Sequence, residues 1–177
     1  MNKNLKYFIL SLLASALALI FFAWRRETII FNFRSTRFQD QKKAYQKKKV
    51  TIYFWQNNSW NKEQVDIITT GSLGQEISAL TKAWLTLIEE EKVIDKKITV
   101  QTAIVSPNGQ EVYLSFDRNP FGERESTIEK LMLTESLLKT LRENQVPIKK
   151  VRFLKHHQSI WDPHLDFYHP WPIEGFL

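Results

Sequence analysis

The alternation of apolar and polar residues beyond residue 49 predicts a small set of strands and helices. VTIYFW, which begins at Val50, alternates between the two and is predicted to be a strand. QNNSWNKEQ is predicted to be a loop, and VDIIT fits a short second strand as an alternative. Ser72-Leu73-Gly74-Gln75 matches a capping box, which predicts a helix from there to about Glu91. Its predicted apolar face is Ile77, Leu80, Trp84, Leu87 and Ile88.

The rest of the chain repeats this change from strand pattern to helix pattern. Residues 98–105 and the alternating EVYLSF predict two paired strands, because Pro107-Asn108-Gly109 between them is typical of a turn. A second capping box, Ser126-Thr127-Ile128-Glu129, begins a helix that ends before Pro147. Val151 and Phe153 predict a final core strand. The apolar face predicted for this helix is Ile128, Leu131, Met132, Leu138 and Leu141.

The predicted element order is β-α-β-β-α-β, which places the chain in the α+β class. The natural packing is a two-layer sandwich, with two helices on one face of a small, mostly antiparallel sheet. A ferredoxin-like fold has the same order of elements, and order alone does not fix which strands pair.

The amino-terminal segment predicts a membrane anchor over residues 1–25. YFILSLLASALALIFFAW, residues 7–24, contains no charge and as a helix would reach about 27 Å, close to a hydrocarbon core of roughly 30 Å. A cleaved signal peptide is the alternative, with Ala16-Leu17-Ala18 as its cleavage site. Apolar residues continue to Trp24, which favours a single transmembrane helix.

Charge divides the chain into two parts. Residues 1–49 hold 11 Lys/Arg and two acids, whereas residues 50–177 hold 14 Lys/Arg and 17 acids. The basic connector, residues 26–48, is therefore predicted to contact membrane lipids, while the acidic globular part argues against nucleic acid as a partner. Positive residues after the anchor outnumber those before it, so simple counting favours a cytoplasmic domain.

The sequence carries no motif for catalysis or cofactor binding. Cysteine is absent, which excludes disulfides, thiolate nucleophiles and cysteine metal sites. G-x-S-x-G, P-loop and G-x-G-x-x-G patterns are also missing. The chain is therefore predicted not to be an enzyme, with no catalytic, cofactor-binding or metal residues and no cofactor.

Two clusters contain residue types that can bind metal ions. Asp117, Glu123 and Glu125 have oxygen ligands for a hard cation but lack calcium-loop spacing, so a joint between a strand and a helix start is the preferred interpretation. The carboxyl-terminal segment holds ligand types suited to zinc without HEXXH spacing, and a belt of aromatic and proline residues is preferred there. Its members are His156, His157, His164, His169, Asp162 and Asp166, among Trp161, Phe167 and Trp171.

An ordered set of segments resembles the GerMN domain family, over about residues 49–171. The set comprises VTIYFW, ISALTKAWLTLI, ITVQTAIVSPNGQEVYLSFD, IEKLMLTESLLKTLREN, VPIKKVRFLK and HLDFYHPW. The resemblance implies a small α/β domain over residues 49–177, similar to ring-building modules of sporulation and secretion complexes. Such domains are membrane- or lipid-anchored, stand outside the cytoplasmic membrane and act by protein–protein assembly rather than catalysis.

The anchor predicts a single-pass protein of the cell membrane, and the resemblance implies an extracytoplasmic domain, which conflicts with the cytoplasmic side that the positive charges favour. The domain would contact envelope proteins or associate with copies of itself. The alternative is a module that binds cell-wall glycan through Trp55, Trp60 and the aromatic tail, whereas Trp84 is expected in the core. A hydrolase with dispersed acids is a third hypothesis.

Overall fold

The computed structural model describes Ser15 and residues 45–122 and 125–176. No helix among these residues is long and apolar enough to span a bilayer. Ser15 apart, the predicted anchor lies outside the described residues, as does most of the connector. The elements are β1 Gln46–Gln56, β2 Ser59–Thr69, α1 Leu73–Glu90, β3 Val100–Val105, β4 Glu111–Phe116, α2 Thr127–Glu143, β5 Lys150–Lys155, β6 Gln158–Ser159 and β7 Trp171–Pro172.

The described residues form an α+β domain with two helices, which confirms the predicted fold class. Its larger sheet has the strand order β3-β4-β5-β6, with β7 also on β5. The β4–β5 pair is parallel, and the others in this sheet are antiparallel. The sheet differs from the predicted one, because β1 does not join it and pairs with β2 in a separate two-stranded ribbon.

The ribbon corrects the predicted loop after β1. QNNSWNKEQ is mostly strand, and only Asn57 and Asn58 form the turn, with φ angles of 52° and 56°. Left-handed conformations at both central residues match the twist of a tight hairpin, and asparagine tolerates them better than most residues. The ribbon starts at Gln46, so residues 47–49 belong to β1 and not to a spacer.

The two predicted capping boxes have different outcomes. Ser72 is the N-cap of α1 but makes no side-chain hydrogen bond there. Ser126 accepts a hydrogen bond from the Glu129 N–H and donates its own N–H to the Glu129 carboxylate at 2.8 Å. This backbone hydrogen bond is the main cause of a lowered Glu129 pKa. The second box therefore forms, whereas the first helix begins without one.

Helix α2 lies in the interior and is more polar than its predicted face. Leu138 and Leu141 are fully buried as predicted, but Ile128 is 71% exposed. Its buried polar side chains have partners, such as the Ser136 hydroxyl, which accepts a hydrogen bond from the Trp84 indole at 3.0 Å. The helix touches elements on several sides, so burial is not confined to one apolar stripe. Its buried polar residues are Lys130, Thr134, Glu135, Ser136 and Thr140.

Candidate interaction surface

The outer edge of β1 is closed by side chains of α2. The Asn144 amide accepts a hydrogen bond from the Thr51 N–H at 3.1 Å and donates one to the Thr51 carbonyl at 2.7 Å. The Thr140 hydroxyl accepts the Tyr53 N–H at 2.9 Å. Residues four apart on a helix share one face, and residues two apart on a strand point their backbone the same way. The pair Thr140 and Asn144 therefore takes the place of a neighbouring strand.

The outer edge of β2 is open. Thr51 and Tyr53 direct their backbone away from β2, so their cross-strand partners Gln64 and Lys62 direct theirs away from β1. The same alternation turns the backbone of Trp60, Asp66 and Ile68 outward. Within the part of the chain that the structure describes, these five residues make no backbone hydrogen bond on that side. An 11-residue edge strand of this kind offers unpaired donors and acceptors to another strand.

The two tryptophans proposed as a binding surface lie together beside the turn. Trp55 and Trp60 are cross-strand partners, with ring centroids 5.3 Å apart in an edge-to-face arrangement. The Lys139 ammonium lies 5.0 Å from the Trp60 ring centroid and 5.3 Å from that of Tyr53. Such a cation–π contact stabilises the ribbon against α2. Trp60 is 38% exposed, so only part of its surface meets solvent.

The acids between β4 and α2 do not gather into a ligand set in the described residues. Asp117 accepts the Thr99 N–H at 2.7 Å and donates its own N–H to the Thr99 carbonyl, which closes the β3–β4 pair. Glu125 packs over Gly122, whose φ is +80° and where a Cβ atom would lie against the carboxylate. Glu123 is outside the described residues. This arrangement supports the interpretation of the loop as a joint.

The four histidines do not come together in one turn. His156 and His157 form the tight turn between β5 and β6, with φ angles of 49° and 63°. His169 pairs with Asp166 at 2.7 Å on the surface, and its hydrogen bond is the main cause of a lowered Asp166 pKa. No group of three or more potential metal-ligating side chains occurs among residues 45–122 and 125–176.

A buried ion pair, not foreseen from the sequence, joins α2 to the tail. The Lys130 ammonium and the Asp162 carboxylate are 2.5 Å apart, with 2% and 3% of their side chains exposed. Asp162 also accepts the N–H groups of His164 and Leu165. Burial raises the pKa of Asp162, but the hydrogen bond from Lys130 and those from the backbone outweigh it, so the pKa is lowered. A helical wheel offers a signal, because Lys130 lies on the buried stripe of Leu137 and Leu141.

The aromatic belt predicted for the tail is confirmed by its ring contacts. Phe167 stacks on Phe121 at 4.9 Å and on Trp171 at 5.3 Å between centroids. The Phe176 N–H donates to the buried Glu135 carboxylate at 2.6 Å, which fixes the end of the tail on α2. Trp161 is the exception, because 71% of it is exposed.

Two surface depressions offer candidate ligand sites. The larger, of about 550 Å³, is lined by charged side chains of both signs, including Asp95, Lys96 and Arg118. The smaller, of about 340 Å³, lies under the tail beside Leu165 and Trp171 and is mainly apolar. Mixed charge in the first favours neither an anionic nor a cationic ligand.

Comparison with known proteins gives a structural likeness and no family. No family model and no curated protein match the chain. A crystal structure described as "Putative Lipoprotein from Clostridium perfringens" is similar, with 16% sequence identity and a TM-score of 0.48. The likeness covers 72% of this chain and 89% of that one.

Proposed function

We propose that this chain is a membrane-anchored, non-catalytic domain of the cell envelope that acts by protein–protein assembly. The observation that carries the proposal is the contrast between the two edges of the ribbon. Asn144 and Thr140 bind the outward backbone groups of Thr51 and Tyr53 in β1, whereas the outward residues of β2, at alternate positions from Trp60 to Ile68, are exposed. Strand addition to such an edge supplies main-chain hydrogen bonds for binding and side-chain positions for specificity.

The amino-terminal sequence supports a location at the membrane. An uncharged stretch over residues 7–24 would hold the domain at the bilayer, and the basic residues after it favour anionic headgroups. We propose that the domain stands outside the cytoplasmic membrane, as the resemblance to the GerMN family implies. A topology reporter fused after residue 177 tests this side, and a cytoplasmic signal from it would contradict the proposal.

Glycan binding through Trp55 and Trp60 receives less support from the geometry. Sugar rings stack on open aromatic faces, but Trp60 already contacts the Lys139 ammonium and the edge of Trp55. Trp161 is more exposed and offers a better face. A cell-wall pull-down of the full-length chain and its Trp161→Ala variant separates the two functions, because binding lost with Trp161 would favour the glycan module.

Photo-crosslinking in native membranes tests the assembly function. A photoreactive residue at Gln64, on the open edge, is expected to trap an envelope protein or a second copy, identified by mass spectrometry. Ile128 is the matched control, because it is exposed but lies on α2 away from this edge. Equal and weak labelling from both positions would count against assembly through the ribbon.

A further inference from the structure

The residues along the open β2 edge are arranged symmetrically about Gln64. Lys62 and Asp66 lie two positions on either side of it and carry opposite charges. Trp60 and Ile68 lie four positions on either side, and both are exposed apolar residues. The strand also ends five positions away on both sides, at Ser59 and Thr69. Gln64 is thus the midpoint of the whole edge.

We propose that β2 pairs antiparallel with β2 of a second copy, about a two-fold axis through Gln64. The inference rests on the proposed assembly function and names its partner. Antiparallel pairing places Gln64 opposite itself, Lys62 opposite Asp66 of the second copy, and Trp60 opposite Ile68 of the second copy. All five outward-pointing residues then form narrow, hydrogen-bonded pairs, which gives about ten backbone hydrogen bonds. The interface is isologous, as in most dimers with two-fold symmetry.

The charges select this register over its neighbours. A shift of the midpoint to Glu63 would set Trp60 against Asp66, and a shift to Val65 would set Lys62 against Ile68. Both shifts lose the two ion pairs and shorten the overlap. On the other face of the ribbon, Glu63 would meet Val65, which creates no like-charge contact. Opposite charges directly across two strands are favourable and like charges unfavourable, so one register is preferred.

The same charges explain how the β2 edge can be open without pairing with unrelated strands. Lysine and acidic residues on an exposed edge discourage pairing with unrelated strands. Asp66 already pairs with Lys47 at 2.9 Å on the surface of its own chain. In the dimer its carboxylate lies between two ammonium groups, Lys47 of its own chain and Lys62 of the second copy. The edge is therefore complementary to itself.

Cysteine crosslinking tests the register, because the natural chain contains no cysteine. In the full-length chain reconstituted in lipid vesicles, Gln64→Cys is expected to form an intermolecular disulfide under mild oxidation. Directly opposed residues of a narrow pair lie about 5.5 Å apart between Cα atoms, within disulfide range. Lys62→Cys is the matched control on the same edge. In the proposed dimer, position 62 of one chain lies four residues, about 13 Å, from position 62 of the other chain. Mixing Lys62→Cys with Asp66→Cys is expected to restore crosslinking.

Charge reversal tests the energetics of the same contact. Lys62→Glu sets like charges opposite each other twice, and Asp66→Lys does so with the other sign. Each variant alone is expected to self-associate roughly tenfold more weakly, because two cross-strand pairs change from attraction to repulsion. An equimolar mixture of the two restores both attractive pairs and should associate at the natural strength. Energy transfer between labelled chains in vesicles gives the affinities.

The outcomes distinguish this inference from the broader function. Equal crosslinking by Gln64→Cys and Lys62→Cys overturns the register, because random collision would account for both. Crosslinking of position 64 to another envelope protein, without a homodimer, overturns the second copy as partner but leaves assembly in place. If position 64 crosslinks to no protein in native membranes, both the proposed dimer and the assembly function are overturned. A disulfide specific to Gln64→Cys, with recovery in the charge-reversed mixture, supports the proposed dimer.

Discussion

Two regions of this domain are rich in polar groups, which are paired within the chain in one region and exposed to solvent in the other. Around α2, buried and half-buried polar side chains are matched to charged side chains, hydroxyls and backbone groups, as in the contact of Lys130 with Asp162 and of Asn144 with Thr51. Along β2, the outward backbone groups of Trp60 to Ile68 face solvent. Burial without a partner is expensive, whereas exposure to water is not. The polar groups of the first region are therefore needed for the stability of the fold, whereas those of the second can bind another chain.

The strongest test of this contrast is removal of the buried carboxylate by Asp162→Ala. It leaves the Lys130 ammonium buried without its partner, which is expected to lower the free energy of unfolding by about 3–5 kcal/mol. Urea unfolding of the detergent-solubilised chain, followed by tryptophan fluorescence, measures it. Asp166→Ala is the control, because that carboxylate pairs with His169 and accepts its turn hydrogen bonds on the exposed surface, so its loss should cost much less. An equal loss of unfolding free energy in both variants would contradict the proposal that the buried pair stabilises the fold.

Closure of the β1 edge by α2 predicts a smaller loss for Asn144→Ala. The substitution leaves the Thr51 N–H and carbonyl without their partner in a half-buried position, at an expected 1–3 kcal/mol or so. Glu143→Ala, one residue earlier and on the exposed side, should stay within about 0.5 kcal/mol. Hydrogen exchange at Thr51 and Tyr53 provides a local readout, and unchanged protection there would show that the amide does not seal the edge.

Acid should weaken the α2 region selectively. The folded-state pKa of Asp162 lies below its ordinary value of 3.8, so the ionised carboxylate favours the folded state. This contribution is complete above the ordinary pKa and is lost as the pH falls through the folded-state pKa. The free energy of unfolding is thus expected to drop below about pH 4. Asp162→Ala should have a flatter profile, with the remaining slope from Glu129 and Asp166, whose pKa values are also lowered.

The strands β3, β4 and β5 of the larger sheet and both helices could be predicted because their local patterns agree with their packing, whereas the two-residue strands β6 and β7 were not predicted. EVYLSF alternates, its apolar residues Val112, Leu114 and Phe116 are fully buried, and the Ser126 box forms as its sequence indicates. Only the second half of β2, VDIIT, was offered as a strand by the sequence, because SWNKEQ before it is polar apart from Trp60, as expected of a strand with an open edge and few buried positions. The Asn57-Asn58 turn and the flanking tryptophans were signals that could have indicated a hairpin.

The polar interior of α2 could not be predicted from periodicity alone. Ile128 fits the apolar pattern, yet it lies in the first turn of the helix and is exposed. Lys130 becomes an interior residue only because the tail supplies Asp162, 32 positions away in sequence. Thr140 and Asn144 find their partners 87 and 93 residues earlier, in β1. Such contacts depend on tertiary pairing, which single-sequence patterns do not encode.

Substitution of Lys62 on the β2 edge should have the smallest effect on stability. It therefore tests whether the β2 edge differs from the α2 region. Lys62 is exposed, and its cross-strand partner Tyr53 has its backbone N–H bound by α2, so Lys62→Ala removes no buried contact. The free energy of unfolding, measured at a dilution that favours the monomer, should change by about 0.5 kcal/mol or less. Association of the same variant in vesicles should nevertheless weaken. If Lys62→Ala destabilised the monomer as much as Asn144→Ala, the β2 edge would itself stabilise the fold. The proposed difference between the α2 region and the β2 edge would then be wrong.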